Sequence, residues 1–331
     1  MPHQACYHFP SVTSRSNADV NAATKIQSSG NSHAMPSLFS SISGFLVTLL
    51  AFLIWGLSPL YWKQLHHVPP FEALMHRVIW SLFFLIPIII FQKKTKAFLK
   101  ALTQPKIIGV LTVTTCLVGA NWFLFIWSIA NDHVLQTSLG YYINPLLTVI
   151  LGMAFLKERL TGRQKIAVIL AGIGVGWLTW DYGSLPWVSL VLALTFSFYS
   201  LVRKVVDVGP LVGLAVETLL MAIPAGTWLI YQAMQGKGAF LHVGITTDLL
   251  LMGTAMVTAL PLLLFNLGAK SLKLSTLGFI QYVAPTCTFL LAIFVFKEPM
   301  DPSLVRTFIL IWSALALVTW DSVSTYRKQH R

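Results

Sequence analysis

One apolar run of the chain holds a carboxylate, an imidazole and a guanidinium, namely Glu72, His76 and Arg77. Ionisable groups inside a bilayer cost about 3 kcal/mol each even on permissive scales, so each marks a site where function is expected. Glu72 and His76 are four residues apart and share one helical face, where a carboxylate and an imidazole can share a proton. Arg77 is expected roughly 9 Å inside its span at 1.5 Å per residue. That depth suits a substrate anchor or one half of a gate. A shift of 140 residues brings Glu217 to the position of Arg77. Glu72, His76 and Glu217 are therefore the candidates for proton coupling. The plainer alternative is an interfacial Glu72, a packed His76, and an Arg77 bonded to carbonyls or to Glu217.

A second set gathers around two prolines. Pro145 and Pro285 stand mid-run, where each removes a backbone donor and frees a carbonyl toward a cavity. Tyr141, Tyr142 and Asn144 flank the first, and Gln281 and Tyr282 flank the second. Asn121, Trp122 and Asn266 add amides and an aromatic face to the same cavity. Such residues near the bilayer midplane would form a substrate path. The competing reading is a set of kinked helices joined by interhelical hydrogen bonds. Lys157-Glu158 and Lys297-Glu298 are candidate gate pairs, or else solvated helix ends. Gly172, Gly174 and Gly176 read as a packing face, and Tyr61, Trp62, Trp180 and Trp320 as interfacial anchors with no substrate role.

The elements that must position these groups follow from composition. The chain is 56% hydrophobic and 10% charged, against about a quarter charged in soluble domains. Ten runs approach the roughly 20 apolar residues that cross a bilayer, at about 42–62, 71–91, 107–129, 134–156, 166–180, 186–202, 212–231, 248–267, 274–296 and 303–320. Of the 23 Lys and Arg residues, 18 fall on the side of the N-terminus. Lys63, Lys237 and Lys297 fall on the other side, and Arg77 and Arg306 within spans. Basic residues accumulate in cytoplasmic loops, so both termini are expected in the cytoplasm. The net charge of +12 is then a topology signal, and nucleic acid is not an expected partner. Cys6, Cys116 and Cys287 form no metal or disulfide pattern, and no cofactor is expected. Residues 1–37 read as a disordered polar tail, with Met35 the expected native start.

The 140-residue shift aligns more than one pair. Tyr142 meets Tyr282, Pro145 meets Pro285, Thr148 meets Thr288, Lys157-Glu158 meets Lys297-Glu298, and Thr179-Trp180-Asp181 meets Thr319-Trp320-Asp321. A single offset through so many landmarks points to duplication. The expected fold is all-α and membrane-integral, with five helices in 38–181 and five in 182–325. Five is odd, so the second unit would be inverted relative to the first, an architecture of secondary transporters.

The strings His76-Arg77-Val78-Ile79-Trp80-Ser81, Asn121-Trp122, Phe125-Ile126-Trp127, Ser138-Leu139-Gly140-Tyr141-Tyr142-Ile143-Asn144-Pro145-Leu146 and Ser275-Thr276-Leu277-Gly278-Phe279-Ile280-Gln281-Tyr282 occur in this order. Together they resemble the RarD proteins of the EamA group in the drug/metabolite transporter superfamily, over residues 42–325. The resemblance implies a ten-helix fold, a plasma (inner) membrane location and a permease of the kind called chloramphenicol-sensitive protein. The expected activity is alternating-access transport of small metabolites or drugs, driven by a gradient because no Walker motif is present. Expected partners are the small-molecule substrate and the lipid bilayer, with room for a homodimer. The rival classes are a membrane-embedded enzyme, which would need a catalytic constellation facing one cavity, and a receptor.

Overall fold

The structure is a computed structural model that describes residues 38–130, 134–183, 187–297 and 302–329. The tail at 1–37 and Glu298 lie outside the described residues. Among those described, every regular element is helical. In chain order these are α1 (Leu38–Trp62), α2 (Pro70–Phe91), α3 (Thr95–Thr103), α4 (Pro105–Ala130), α5 (Val134–Leu156), α6 (Gly162–Tyr182), α7 (Trp187–Val205), α8 (Pro210–Met234), α9 (Ile245–Ser271), α10 (Leu274–Gln281), α11 (Val283–Phe294) and α12 (Pro302–Gln329). A 3₁₀ turn at Lys63–Leu65 follows α1.

Among the described residues, eight stretches are long and apolar enough to cross a membrane: α1, α2, α4, α5, α7, α8, α9, and α10 with α11 taken together. The remaining long helices, α6 and α12, carry more polar sequence and pack along each other. The short α3 turns Phe98, Ala101 and Leu102 onto Val208, Val212 and Val216 at the start of α8. Its lysines stay exposed, as expected of a helix lying at a membrane surface.

Local chemistry explains where the helices begin. Four open on proline, at Pro70, Pro105, Pro210 and Pro302, where the missing N–H is not needed and φ is already helical. A capping box opens α6. Thr161 accepts from the Gln164 amide, the Gln164 side chain accepts from the Thr161 amide, and Gly183 closes the helix at φ 73°. The starts of α2 and α8, α4 and α9, α5 and α10, and α6 and α12 each lie 140 residues apart. Lys157 and Lys297, also 140 apart, both adopt the left-handed region, with φ of 53° and 54°.

The two prolines act differently. Helix α5 continues through Pro145, whereas the corresponding segment breaks at Tyr282 into α10 and α11. Both prolines lack the N–H that would reach the carbonyl four residues back, and only the second segment is interrupted.

Helix pairs are held by close packing, since lipid supplies little hydrophobic drive between them. Around Phe265 of α9 stand Phe52, Trp55, Phe196 and Tyr199, with ring centroids 5.5–6.3 Å away. Helix α5 lies against α7 and α10, α9 against α1 and α2, and α2 against α8. The crossing of α5 and α10 is close enough to require glycine. A Cβ on Gly278 would stand 2.7 Å from the Pro145 carbonyl oxygen and 2.7 Å from Val149 Cγ2.

Candidate functional site

Glu217 lies on α8 with no exposed surface. Thr114 Oγ1 of α4 donates to its Oε1 at 2.5 Å, and the Tyr199 hydroxyl of α7 to its Oε2 at 3.3 Å. Arg203 Nε stands 3.6 Å from Oε1, both side chains being about 1% exposed. Arg203 also donates to Asn266 Oδ1 at 3.2 Å and to the Pro210 carbonyl at 3.1 Å, while Asn266 Nδ2 donates to the Tyr199 hydroxyl at 3.1 Å. Four helices thus meet on one ion pair. The guanidinium lies on bare backbone, since a Cβ on Gly213 would fall 2.0 Å from Nη1.

Arg77, at the position that matches Glu217, takes no part in this pair. Its Cζ lies 3.9 Å from the centroid of Trp122 and 5.8 Å from that of Trp62. The Tyr141 hydroxyl lies within its electrostatic reach. Tyr141 is 52% exposed and its ring centroid is 6.2 Å from that of Phe125. Below Trp122 a small cavity of about 10 Å³ is lined by Val78, Ser81, Leu214, Thr218 and Thr258 among others. That volume suits at most one water.

Glu72 and His76 sit nearer the start of α2. Glu72 Oε1 accepts from the Ala239 amide at 2.5 Å and lies 3.8 Å from His76 Nε2. His76 also rests on Phe240, with ring centroids 5.1 Å apart. The pair therefore fastens the segment between α8 and α9 over the start of α2.

The proline-flanking residues form another group. Asn144 Nδ2 donates to Gln281 Oε1 at 3.2 Å, and Ser197 Oγ donates to Asn144 Oδ1 at 2.7 Å. Thr148 Oγ1 lies 3.2 Å from Ser197 Oγ and 3.3 Å from Gln281 Oε1. The Tyr282 hydroxyl donates to the Tyr142 carbonyl at 3.2 Å. Asn121 lies apart from this network, its amide donating to the Leu192 carbonyl at 2.8 Å and Thr195 Oγ1 at 2.9 Å, so that it ties α4 to α7. Asn266 likewise belongs with Glu217 rather than with the prolines.

Among the described residues no cation stands within ion-pair distance of Glu158. Its Oε1 accepts from the Leu274 amide at 2.7 Å, and its Oε2 from the Ser275 amide at 2.8 Å and hydroxyl at 2.7 Å. A carboxylate at a helix N-terminus satisfies orphan donors and complements the dipole. The end of α5 is thereby clasped to the start of α10.

The family model described as the EamA-like transporter family matches residues 42–180. Protein RarD of Salmonella typhi is 43% identical over 286 residues, covering 86% of this chain and 97% of its own. The chain belongs to the EamA family, among the RarD proteins. A chloramphenicol-sensitive protein RarD of Pseudomonas aeruginosa is 31% identical, covering 87% of this chain and 97% of its own. A crystal structure with 18% sequence identity superposes with a TM-score of 0.66 over 85% of this chain and 98% of that one, a likeness of fold.

In this EamA protein, a membrane transporter, the sequence candidates fall into separate groups. Arg77 joins Trp122 and Tyr141, Glu217 joins Asn266, Glu72 joins His76, and Asn144 joins Gln281. Sequence reasoning missed Arg203, which follows an apolar run and precedes Lys204 and so reads as a loop cation. It also missed Trp62, read as an interfacial anchor but turned toward Arg77. The available clue for Arg203 was the unpaired Glu217, which needed a cation from some span.

Proposed function

We propose that the chain is a secondary carrier of small organic molecules that works by alternating access in the inner membrane. On this reading α1, α2, α4–α9, the α10–α11 pair and α12 are ten spans, divided into inverted five-helix repeats at 38–181 and 182–325, with both termini cytoplasmic. The recurrence of helix starts at 140 residues supports the division. So do two tethers between α6 and α12. Asp321 meets Arg163 at 3.6 Å and Asp181 meets Ser303, and the 140-residue shift turns either pair into the other.

One observation carries the reading. Among the described residues α5 packs closely along α10, with Gly278 against Pro145 and Val149 and with Glu158 on the Leu274 and Ser275 amides. These two equivalent elements are thus held together at the end that carries Glu158. With equivalent halves, the mirrored closure at the opposite end has comparable energy, and exchange between the two moves a central site from one face of the membrane to the other. The basic loops support a cytoplasmic place for the closed end that carries Glu158. The proposed path runs past Arg77, Trp122, Tyr141, Asn144 and Gln281. Proton exchange is placed at Glu217, whose neighbours span four helices, and secondarily at the Glu72–His76 pair.

Counterflow of labelled solutes in liposomes tests the carrier reading. The panel is drawn from metabolites that differ between deletion and overexpression cells, with chloramphenicol added because a relative's name carries it. Accelerated exchange of at least one solute is expected. Its absence across the panel would return the protein to the receptor class.

A further inference from the structure

Two arginines stand among the packed helices, Arg203 fully buried and Arg77 partly buried with its Nε enclosed, and their surroundings differ. Arg203 has Glu217 for a counterion. Arg77 has no carboxylate within ion-pair distance among the described residues, since Glu72, five positions earlier, is held by Ala239 and His76, and Glu217 is committed to Arg203. Arginine cannot shed its proton at such a site, and a charge left unpaired inside a membrane is costly unless a ligand or a partner answers it. The Trp122 face at 3.9 Å offsets only part of that cost.

Three donors on the same stretch of α2 are also unanswered. Arg77 Nε, Trp80 Nε1 and Ser81 Oγ are buried on one stretch of α2 without a hydrogen-bond partner. The two nitrogens can only donate, and the hydroxyl can donate too. Unused donors within one helical turn of a permanent cation are complementary to an oxyanion, and a guanidinium binds a carboxylate through two parallel hydrogen bonds. The flanking surfaces are aromatic, from Trp62 and Trp122, and half-exposed Tyr141 has its hydroxyl within electrostatic reach of the guanidinium.

We propose that Arg77 is the anion subsite of the transport path, and that the substrate class is a small organic carboxylate whose apolar body lies against Trp122 and Tyr141. This rests on the carrier reading for its role in transport but not for binding. The repeat gives it a further meaning. The same position in the other half holds Glu217, which the chain neutralises internally, so only one half presents a free charge to the substrate. Transport of such an anion requires the clasp at Glu158 to open while the acid remains on Arg77.

The test is binding to the full chain in lipid nanodiscs, read by tryptophan fluorescence because Trp62 and Trp122 flank the guanidinium. The probes are isosteric acid–amide pairs: acetate and acetamide, phenylacetate and phenylacetamide, indole-3-acetate and indole-3-acetamide. Acids with an aromatic body are expected to bind about tenfold or more tightly than their amides. Arg77→Met should abolish that preference, and Arg77→Lys should retain part of it. Equal affinity for acid and amide in the wild-type protein overturns the assignment, as does failure of every acid to bind or a preference that survives in Arg77→Met. If Arg77→Met does not fold, the wild-type pairs and Arg77→Lys still decide. Loss of counterflow with the acid preference intact removes the carrier reading alone. Counterflow of neutral solutes without any acid preference removes the anion subsite alone.

Discussion

The Tyr282 hydroxyl donates to the Tyr142 carbonyl over 3.2 Å, joining two residues separated by the same 140 positions as the starts of four helix pairs. Contact between like positions places the proposed two-fold axis between them, where α5 and α10 cross. Tyr282→Phe keeps the ring and removes the bond, a loss of about 1 kcal/mol. Folded yield in the membrane should be unchanged. Counterflow should slow severalfold, because the axis is where the two closures exchange. Wild-type exchange would reduce the bond to packing.

The Glu217–Arg203 pair should behave as a buried ion pair. Removing one partner leaves an uncompensated charge and costs about 3–5 kcal/mol. Glu217→Gln and Arg203→Gln should each lower the thermal midpoint in detergent by several degrees, and the double variant should recover most of the loss. Additive losses would mean that the two side chains do not depend on each other. In liposomes Glu217→Gln should also end accumulation driven by a pH gradient while counterflow persists in part. Unchanged accumulation would remove Glu217 from coupling.

The helices were readable because each problem in placing them is local. A run of apolar residues needs about 20 positions to span the bilayer, and Pro70, Pro105, Pro210 and Pro302 mark starts in the sequence itself. The unit of 140 was readable for the same reason. Side-chain partners were not, because they depend on helix rotation and crossing. Asn266 and Asn144 look alike in sequence, yet one meets Arg203 and the other Gln281. Glu158 read as half of an ion pair with its neighbour Lys157, whereas its partners are backbone amides more than a hundred residues away. The glycine face of α6 was only partly correct in detail, since a Cβ would meet α12 at Gly174 but open space at Gly172 and Gly176.

Gly278→Ala should push α5 and α10 apart at their crossing. The added methyl would stand 2.7 Å from a backbone oxygen, and neither helix can yield without shifting its neighbours. A cost of about 1–3 kcal/mol is expected, seen as a lower thermal midpoint. Gly172→Ala, facing open space, serves as the control and should leave it unchanged. Equal effects of the two would mean that the crossing is looser than the geometry indicates.

Glu158→Ala should shift the balance between the two access states. It strips the acceptor from the Leu274 and Ser275 amides and from the Ser275 hydroxyl. A charged cap on such donors contributes about 2 kcal/mol, which corresponds to a shift of roughly thirtyfold toward the state open at this end. Val149 packs beneath Gly278 and is 1% exposed, so a cysteine there reports the opening. With Cys6, Cys116 and Cys287 replaced by alanine, Val149→Cys should react slowly with a membrane-impermeant maleimide in inside-out vesicles. Adding Glu158→Ala should raise that rate at least tenfold, and Glu158→Gln should raise it less because its amide oxygen still accepts. The same label applied from the opposite face should react no faster. A rate that does not change with Glu158→Ala would show that the clasp does not hold this end closed, and a rise from both faces would indicate loosened packing instead of a shift between two states.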